Sequence, residues 1–252
     1  MKQHIFTPQQ ICEILCVNGE TKAQKRWEVL FISSILAGSF IALAGVASTW
    51  ASMLVDNLSL RRLIAGCVFP AGLAMVILTG TELFTGNCLL SVPLLDKRVS
   101  LQQIWRNWAI VYAGNCIGAM MVAAAVVYSG VFDGCTEVLV LCAECKMMSM
   151  SDAILRGILC NVLVCMGVVM AAASTDVAGK VLALFFPVAV FVMAGYEHSV
   201  ANMYYLSAGV LAGADLSLYE VVVHNLFPVT VGNIIGGSVV LGGGLWFINH
   251  SP

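Results

Sequence analysis

Charged residues are sparse and unevenly spaced along this chain, and long apolar runs separate them. Val29–Val55, Asn107–Phe132, Gly157–Thr175 and Val221–Pro252 contain no Asp, Glu, Lys or Arg. A transmembrane helix needs about 20 mostly apolar residues, so each stretch predicts one span; the apolar centre of the last ends near Phe247. Two further regions are long enough only if one acidic residue is overlooked. Leu63–Thr81 and Leu83–Leu95 flank Glu82, and Val181–Tyr196 and His198–Ala214 flank Glu197. A charge in mid-membrane is costly, so each region reads as one span broken beside its carboxylate. The prediction is an all-α membrane protein with six transmembrane helices, of which helices 2 and 5 are broken.

The two broken regions resemble each other. Gly80-Thr-Glu-Leu-Phe-Thr-Gly-Asn87 aligns with Gly195-Tyr-Glu-His-Ser-Val-Ala-Asn202 at its Gly, Glu and Asn. Phe69-Pro70 matches Phe186-Pro187 upstream, and Gly114-Asn115-Cys-Ile117-Gly118 matches Gly232-Asn233-Ile-Ile235-Gly236 downstream, all at nearly one offset. Helices 1–3 and 4–6 therefore read as copies, over 29–132 and 152–248 of one transmembrane domain spanning 1–252. Three spans per copy is an odd number, so the second copy is expected to be inverted in the membrane. Inverted repeats place a substrate site where broken helices meet, and irregular backbone at that depth must be buried in protein or line a cavity.

Composition agrees. The chain is 60% hydrophobic and 10% charged, with a mean hydropathy of +0.93, against about 25% charge in a soluble domain. An ordinary soluble enzyme, a disordered chain and a secreted disulfide scaffold are excluded. With 12 basic and 14 acidic residues there is no bulk attraction to nucleic acid. If the N-terminus is cytoplasmic, Lys2, Lys22, Lys25, Arg26, Lys97, Arg98, Arg106 and Lys180 lie inside, against Arg61, Arg62, Lys146 and Arg156 outside. The larger inside set favours both termini in the cytoplasm. Residues 1–28 form a polar segment without a signal-peptide pattern. Pro8 is expected to open a short helix there, with Ile11, Ile14 and Leu15 on one face, either a surface helix on the cytoplasmic side or a mobile gating segment.

Candidate chemistry concentrates at the breaks. Half-helices are expected to start near Thr85–Asn87 and His198–Ser199, with free N–H groups aimed at the midplane, a setting for a small anion. Thr85, Asn87 and Ser199 are N-cap types, and serve as caps alone or as caps that also line a pore. His198 is the one histidine deep in a span, and imidazole can exchange a proton near neutral pH. His4 and His250 lie at the termini, and His224 at the start of helix 6. Glu82 and Glu197, with Asn87 and Asn202, are expected to brace the loops, the carboxylates accepting backbone N–H bonds from the opposite loop. Phe69, Leu73, Leu83, Phe84, Val164 and Phe191 near the breaks suit core packing, or an apolar constriction that gates by dewetting.

There are ten cysteines. Cys67, Cys88, Cys116, Cys160 and Cys165 read as small packers in spans. Cys142-Ala-Glu-Cys145 is a C-x-x-C without the second pair of a zinc site. No metal or cofactor is expected. The glycines at 232, 236 and 242–244 suit close helix packing.

Glu82-Leu-Phe-Thr85, Gly157-Ile-Leu-Cys-Asn161, Glu197-His-Ser-Val-Ala-Asn202 and Asn225-Leu-Phe-Pro-Val-Thr-Val-Gly-Asn233 closely resemble the formate–nitrite transporter family, in order from about residue 27 to 248. The resemblance implies an aquaporin-like protomer, a homopentamer, and one pore per protomer for small monovalent anions: formate, nitrite or hydrosulfide. It implies that Thr85 and His198 face each other at the pore centre with Asn233 assisting. The six apolar residues above match two constrictions, and Lys146 matches a vestibule lysine that attracts the anion. The expected setting is the cytoplasmic (inner) membrane of a prokaryote. Two alternatives stay open: a membrane thiol or metal enzyme using Cys142 and Cys145, and an aquaporin-like channel for neutral solutes.

Overall fold

In the computed structural model, which describes residues 5–250 apart from the side chain of His250, the apolar runs become helices. Lys2 and His4, used in the charge and histidine readings above, lie outside the described residues, as do residues 251 and 252 of the final apolar run. Among the described residues, six helices are long and apolar enough to cross a membrane: Trp27–Ser52, Leu58–Thr79, Leu101–Tyr128, Met150–Ala173, Val177–Ala194 and Glu220–Asn249, called spans 1 to 6 below.

Local chemistry sets several of their starts. Ser100 caps span 3 in a reciprocal capping box with Gln103, Ser149 accepts from the Asp152 N–H at span 4, and Asp176 accepts from the Gly179 N–H at span 5. Each side-chain oxygen satisfies one of the orphan donors at a helix N-terminus. Spans 2 and 5 both end on a glycine in the left-handed region, Gly80 at φ 67° and Gly195 at φ 72°, a conformation in which a Cβ would clash. After Gly80 the chain is non-helical through Leu83, then forms a short helix Phe84–Asn87, a 3-10 turn and a helix Ser91–Leu95. After Gly195 it is non-helical through His198, then helical over Ser199–Leu211. Span 6 contains two π-helical stretches, Glu220–Leu226 and Ile235–Gly243.

Small residues let backbones approach. A Cβ on Gly118 would overlap the Ile35 carbonyl of span 1, and on Gly232 and Gly236 the Ile154 and Ile158 carbonyls of span 4. This is the close packing used where lipid offers no hydrophobic drive between helices. Gly244 meets nothing within 4 Å, so the expected packing role stops short of it. Large apolar side chains such as Ile32, Leu43, Leu155, Leu182 and Phe186 remain exposed on the outside of the spans. Cys67 is exposed too, while Cys88, Cys160 and Cys165 are buried.

The N-terminal helix runs Pro8–Gln24, capped by Thr7 and Gln10. Its buried residues are Cys12, Leu15, Cys16, Gly19 and Ala23, with the expected Ile11 and Ile14 partly buried beside Leu15, because the helix docks into the bundle end with a wider face than a surface helix would bury. Glu13 accepts from Arg98 (2.5 and 2.8 Å) and the Ile5–Phe6 strand-like segment joins the end of span 4 through Phe6 N–H to Ala173 O at 3.1 Å.

Candidate functional site

The two interruptions meet at the centre of the bundle. Thr85 Oγ1 and His198 Nε2 lie 2.8 Å apart, both buried. His198, not Ser199, is the N-cap of its half-helix: Nδ1 accepts the Ala201 N–H at 3.0 Å. Leu83 caps the other without a side-chain bond, so none of Thr85, Asn87 and Ser199 caps a half-helix. The cap has a chemical consequence. An imidazole whose Nδ1 accepts carries its proton on Nε2 when neutral, so Nε2–H donates to Thr85 Oγ1. The threonine hydroxyl proton is then left for a ligand. A second proton on His198 would have to sit on Nδ1 and would break the cap.

Two side chains hold the loops in matching ways. Asn115 Nδ2 donates to Glu82 O (2.9 Å) and Ser34 O (2.7 Å), and its Oδ1 accepts the Phe84 N–H (2.9 Å). Asn233 Nδ2 donates to Glu197 O (2.9 Å) and Gly157 O (2.8 Å), and its Oδ1 accepts the Ser199 N–H (2.9 Å). Asn233 thus braces the second loop by its backbone and makes no direct bond to His198 or Thr85. Asn161 Nδ2 donates to Thr85 O (3.2 Å) and Asn233 O (2.6 Å), and the Cys165 thiol donates to Thr85 O (3.2 Å).

The carboxylates correct a sequence expectation. They bind side chains, not backbone N–H groups of the opposite loop. Glu82 accepts from Asn87 Nδ2 (2.9 Å), Lys25 Nζ (2.6 Å) and Lys22 Nζ (3.1 Å). Glu197 accepts from Asn202 Nδ2 (2.6 Å) and from Lys146 Nζ at 3.1 and 3.2 Å. The likeness extends outward: Asn87 and Asn202 donate to Asn107 and Asn225, which donate to the Lys22 and Lys146 carbonyls. A buried carboxylate is tolerable only when paired and hydrogen-bonded, and the lysines supply that charge. Lys22 comes from the N-terminal helix and Lys25 from its C-cap, where nothing in the apolar pattern marked them. Asn161, Asn225 and Asn115 stood in the quoted motifs, but their partners could not be read there.

Two cavities approach this centre. One, of about 400 Å³, is lined by Phe69, Lys146, Phe191 and His198 among others. The second, of about 350 Å³, is lined by Lys22, Lys25, Gly86, Asn87 and Lys180 among others. Phe191 stacks on His198 (ring centroids 5.8 Å) and meets Phe69 edge-on (5.7 Å). Phe84 packs against Tyr112 and Trp108. Leu73, Leu83, Phe84 and Val164 are buried in the same apolar cluster as Phe69 and Phe191, and line neither cavity. Lys146 lies in the first cavity's wall, paired with Glu197 and 5.4 Å from the Tyr205 ring centroid.

A sequence profile described as "Formate/nitrite transporter" matches residues 9–247. The chain belongs to the formate/nitrite transporter family. It is 36% identical to a formate channel, FocA, of Haemophilus influenzae, over 94% of this chain and 92% of that one. It is 32% identical to a probable formate transporter of Methanothermobacter thermautotrophicus, over 96% of each. Among solved structures, one described as an FNT family ion channel matches with TM-score 0.88 at 28% identity, over 96% of this chain and 99% of that one. A pentameric formate channel with formate bound matches with TM-score 0.77 at 30% identity, over 89% and 98%. Membership in this family makes the chain a multi-pass membrane transport protein and not an enzyme, which removes the thiol- or metal-enzyme alternative.

Proposed function

We propose that this chain conducts small monovalent weak-acid anions through a pore in each protomer of a homopentamer. Formate is the lead candidate, with nitrite and hydrosulfide of the same class. The observation that carries the reading is the Thr85–His198 pair lying beyond a cavity walled by lysine on each side. The lysines raise the local anion concentration, while Phe69 and Phe191 ahead of the pair and Leu73, Leu83, Phe84 and Val164 beyond the cavities form apolar constrictions that exclude bulk water. At the centre the Thr85 hydroxyl donates to the anion, and Nε2–H of His198 holds that hydroxyl in place.

Transient protonation of the anion, with His198 as the donor, belongs to the same reading. It is harder than a free histidine implies, because reloading His198 on Nδ1 opposes the cap on Ala201. The two repeats are taken as inverted, with both termini in the cytoplasm and the protein in the inner membrane of a prokaryote. The matched bonding of Asn115 with Asn233, and of Glu82 with Glu197, supports the repeat.

Flux of formate, nitrite and hydrosulfide into proteoliposomes tests the substrate. Saturable flux of at least one of them, with none of glycerol, is expected; glycerol flux without anion flux would favour the neutral-solute channel. Reversal potentials under a pH gradient test the proton: values that follow the anion gradient alone remove obligatory proton transfer by His198.

A further inference from the structure

The C-x-x-C motif is left unused by anion passage, yet both its cysteines line the first cavity. Cys142 and Cys145 line it together with Lys146, Arg61 and Arg62. They sit at the end of the helix Glu137–Glu144, with Cys145 as its C-cap still in the right-handed helical region. Helical residues three apart have Cα atoms about 5 Å apart, inside the roughly 4.4–6.8 Å window a disulfide needs, and Cβ atoms about 5–6 Å apart, so the last turn must tighten for the bond to close. The two sulfurs differ in access: Cys145 is exposed and Cys142 half-buried. Burial pushes the Cys142 thiol up from its ordinary value. Their helix is held in place, since Gly209 of the second half-helix packs directly on Ala143. Among the described residues no group of three or more His, Cys, Asp and Glu forms that could hold a metal, so the pair stands as a dithiol.

We propose that Cys142 and Cys145 form a redox modification site in the vestibule wall, oxidised once per protomer to a disulfide by small anionic disulfides. Arg61 and Arg62 on the cavity wall draw in such a molecule, Lys146 being paired with Glu197, and the lining includes no Asp or Glu. Cys145, as thiolate, attacks one sulfur of the small disulfide; a mixed disulfide forms and one small thiolate leaves. Cys142, losing its proton to water, then attacks the Cys145 sulfur and expels the second thiolate. The protein gains one disulfide, and the small disulfide is reduced to two thiols, so electrons and atoms balance.

The test treats the full-length protein in detergent with oxidised glutathione, alkylates the remaining thiols and maps them by mass spectrometry. The expected wild-type product is a Cys142–Cys145 disulfide that dithiothreitol reverses. Cys142→Ser should trap a mixed disulfide of glutathione on Cys145, and Cys145→Ser should leave Cys142 free. A wild-type mixed disulfide on Cys145 that persists would overturn the proposal, as would both thiols remaining alkylatable. The readout is independent of anion flux, so its failure is separable from failure of the transport reading.

Discussion

His198 has one hydrogen-bonding direction committed to its own helix and one to Thr85, and that division predicts how substitutions differ. In Thr85→Val the methyl replaces the hydroxyl at nearly constant volume and leaves a buried Nε2–H unpaired. An unsatisfied buried donor costs about 1–3 kcal/mol, so the thermal midpoint in detergent should fall and anion flux should drop at least tenfold, while Thr85→Ser keeps both. In His198→Asn the shorter side chain can still cap Ala201 but cannot reach Thr85. The variant should fold and insert, with altered pH dependence or selectivity of transport; flux like the wild type at every pH would remove His198 from the pore. Cys165 is a subtler case, since its thiol reaches the Thr85 carbonyl at 3.2 Å from a buried position. Both Cys165→Ala and Cys165→Ser keep the bundle packed. Only the serine keeps a donor, and the substrate preference of the alanine variant should shift in a panel of competing anions.

At the scale of elements, the loops between half-helices are held from behind by asparagines and from the side by ion pairs. Asn115→Ala and Asn233→Ala each strand several buried backbone groups, because every side-chain bond of these residues goes to a loop or a neighbouring span. Each should lose about 2–4 kcal/mol, seen as matching drops in thermal midpoint for the two repeats. The N-terminal helix is tied by a surface pair that titrates. Arg98, bonded to Glu13, holds the Glu13 carboxyl below its ordinary value of 4.5. A carboxylate depressed on docking stabilises the docked form above its free value and stops doing so as the pH falls through the lowered one. Relative to their intrinsic exchange rates, the Pro8–Gln24 amides should therefore lose a modest part of their protection below about pH 4.5. In Arg98→Ala that protection should be modestly lower at neutral pH already and lose its dependence on Glu13.

Across the whole molecule, spans approach through glycines, so bulk added there acts at a distance from the pore. A side chain on Gly236 must push into the backbone of Ile158. Gly236→Val should lower the yield and thermal midpoint of the assembled protein, whereas Gly244→Val, which meets open space, should change neither. The sequence alone determined the number of spans, because the cost of burying charge in a bilayer acts locally, and the same cost pointed to interruptions beside Glu82 and Glu197. It also marked His198, Thr85 and the two carboxylates, since a polar residue inside an apolar run needs a reason. The partners were not legible. Glu82 is neutralised by Lys22 and Lys25 at the end of a helix far away in the chain, Asn233 bonds the loop backbone, and His198 takes the cap expected of Ser199. Those choices are made by where separate segments come to rest. Desolvating a carboxylate or an N–H demands a partner, but which residue supplies it depends on tertiary packing that no local pattern records.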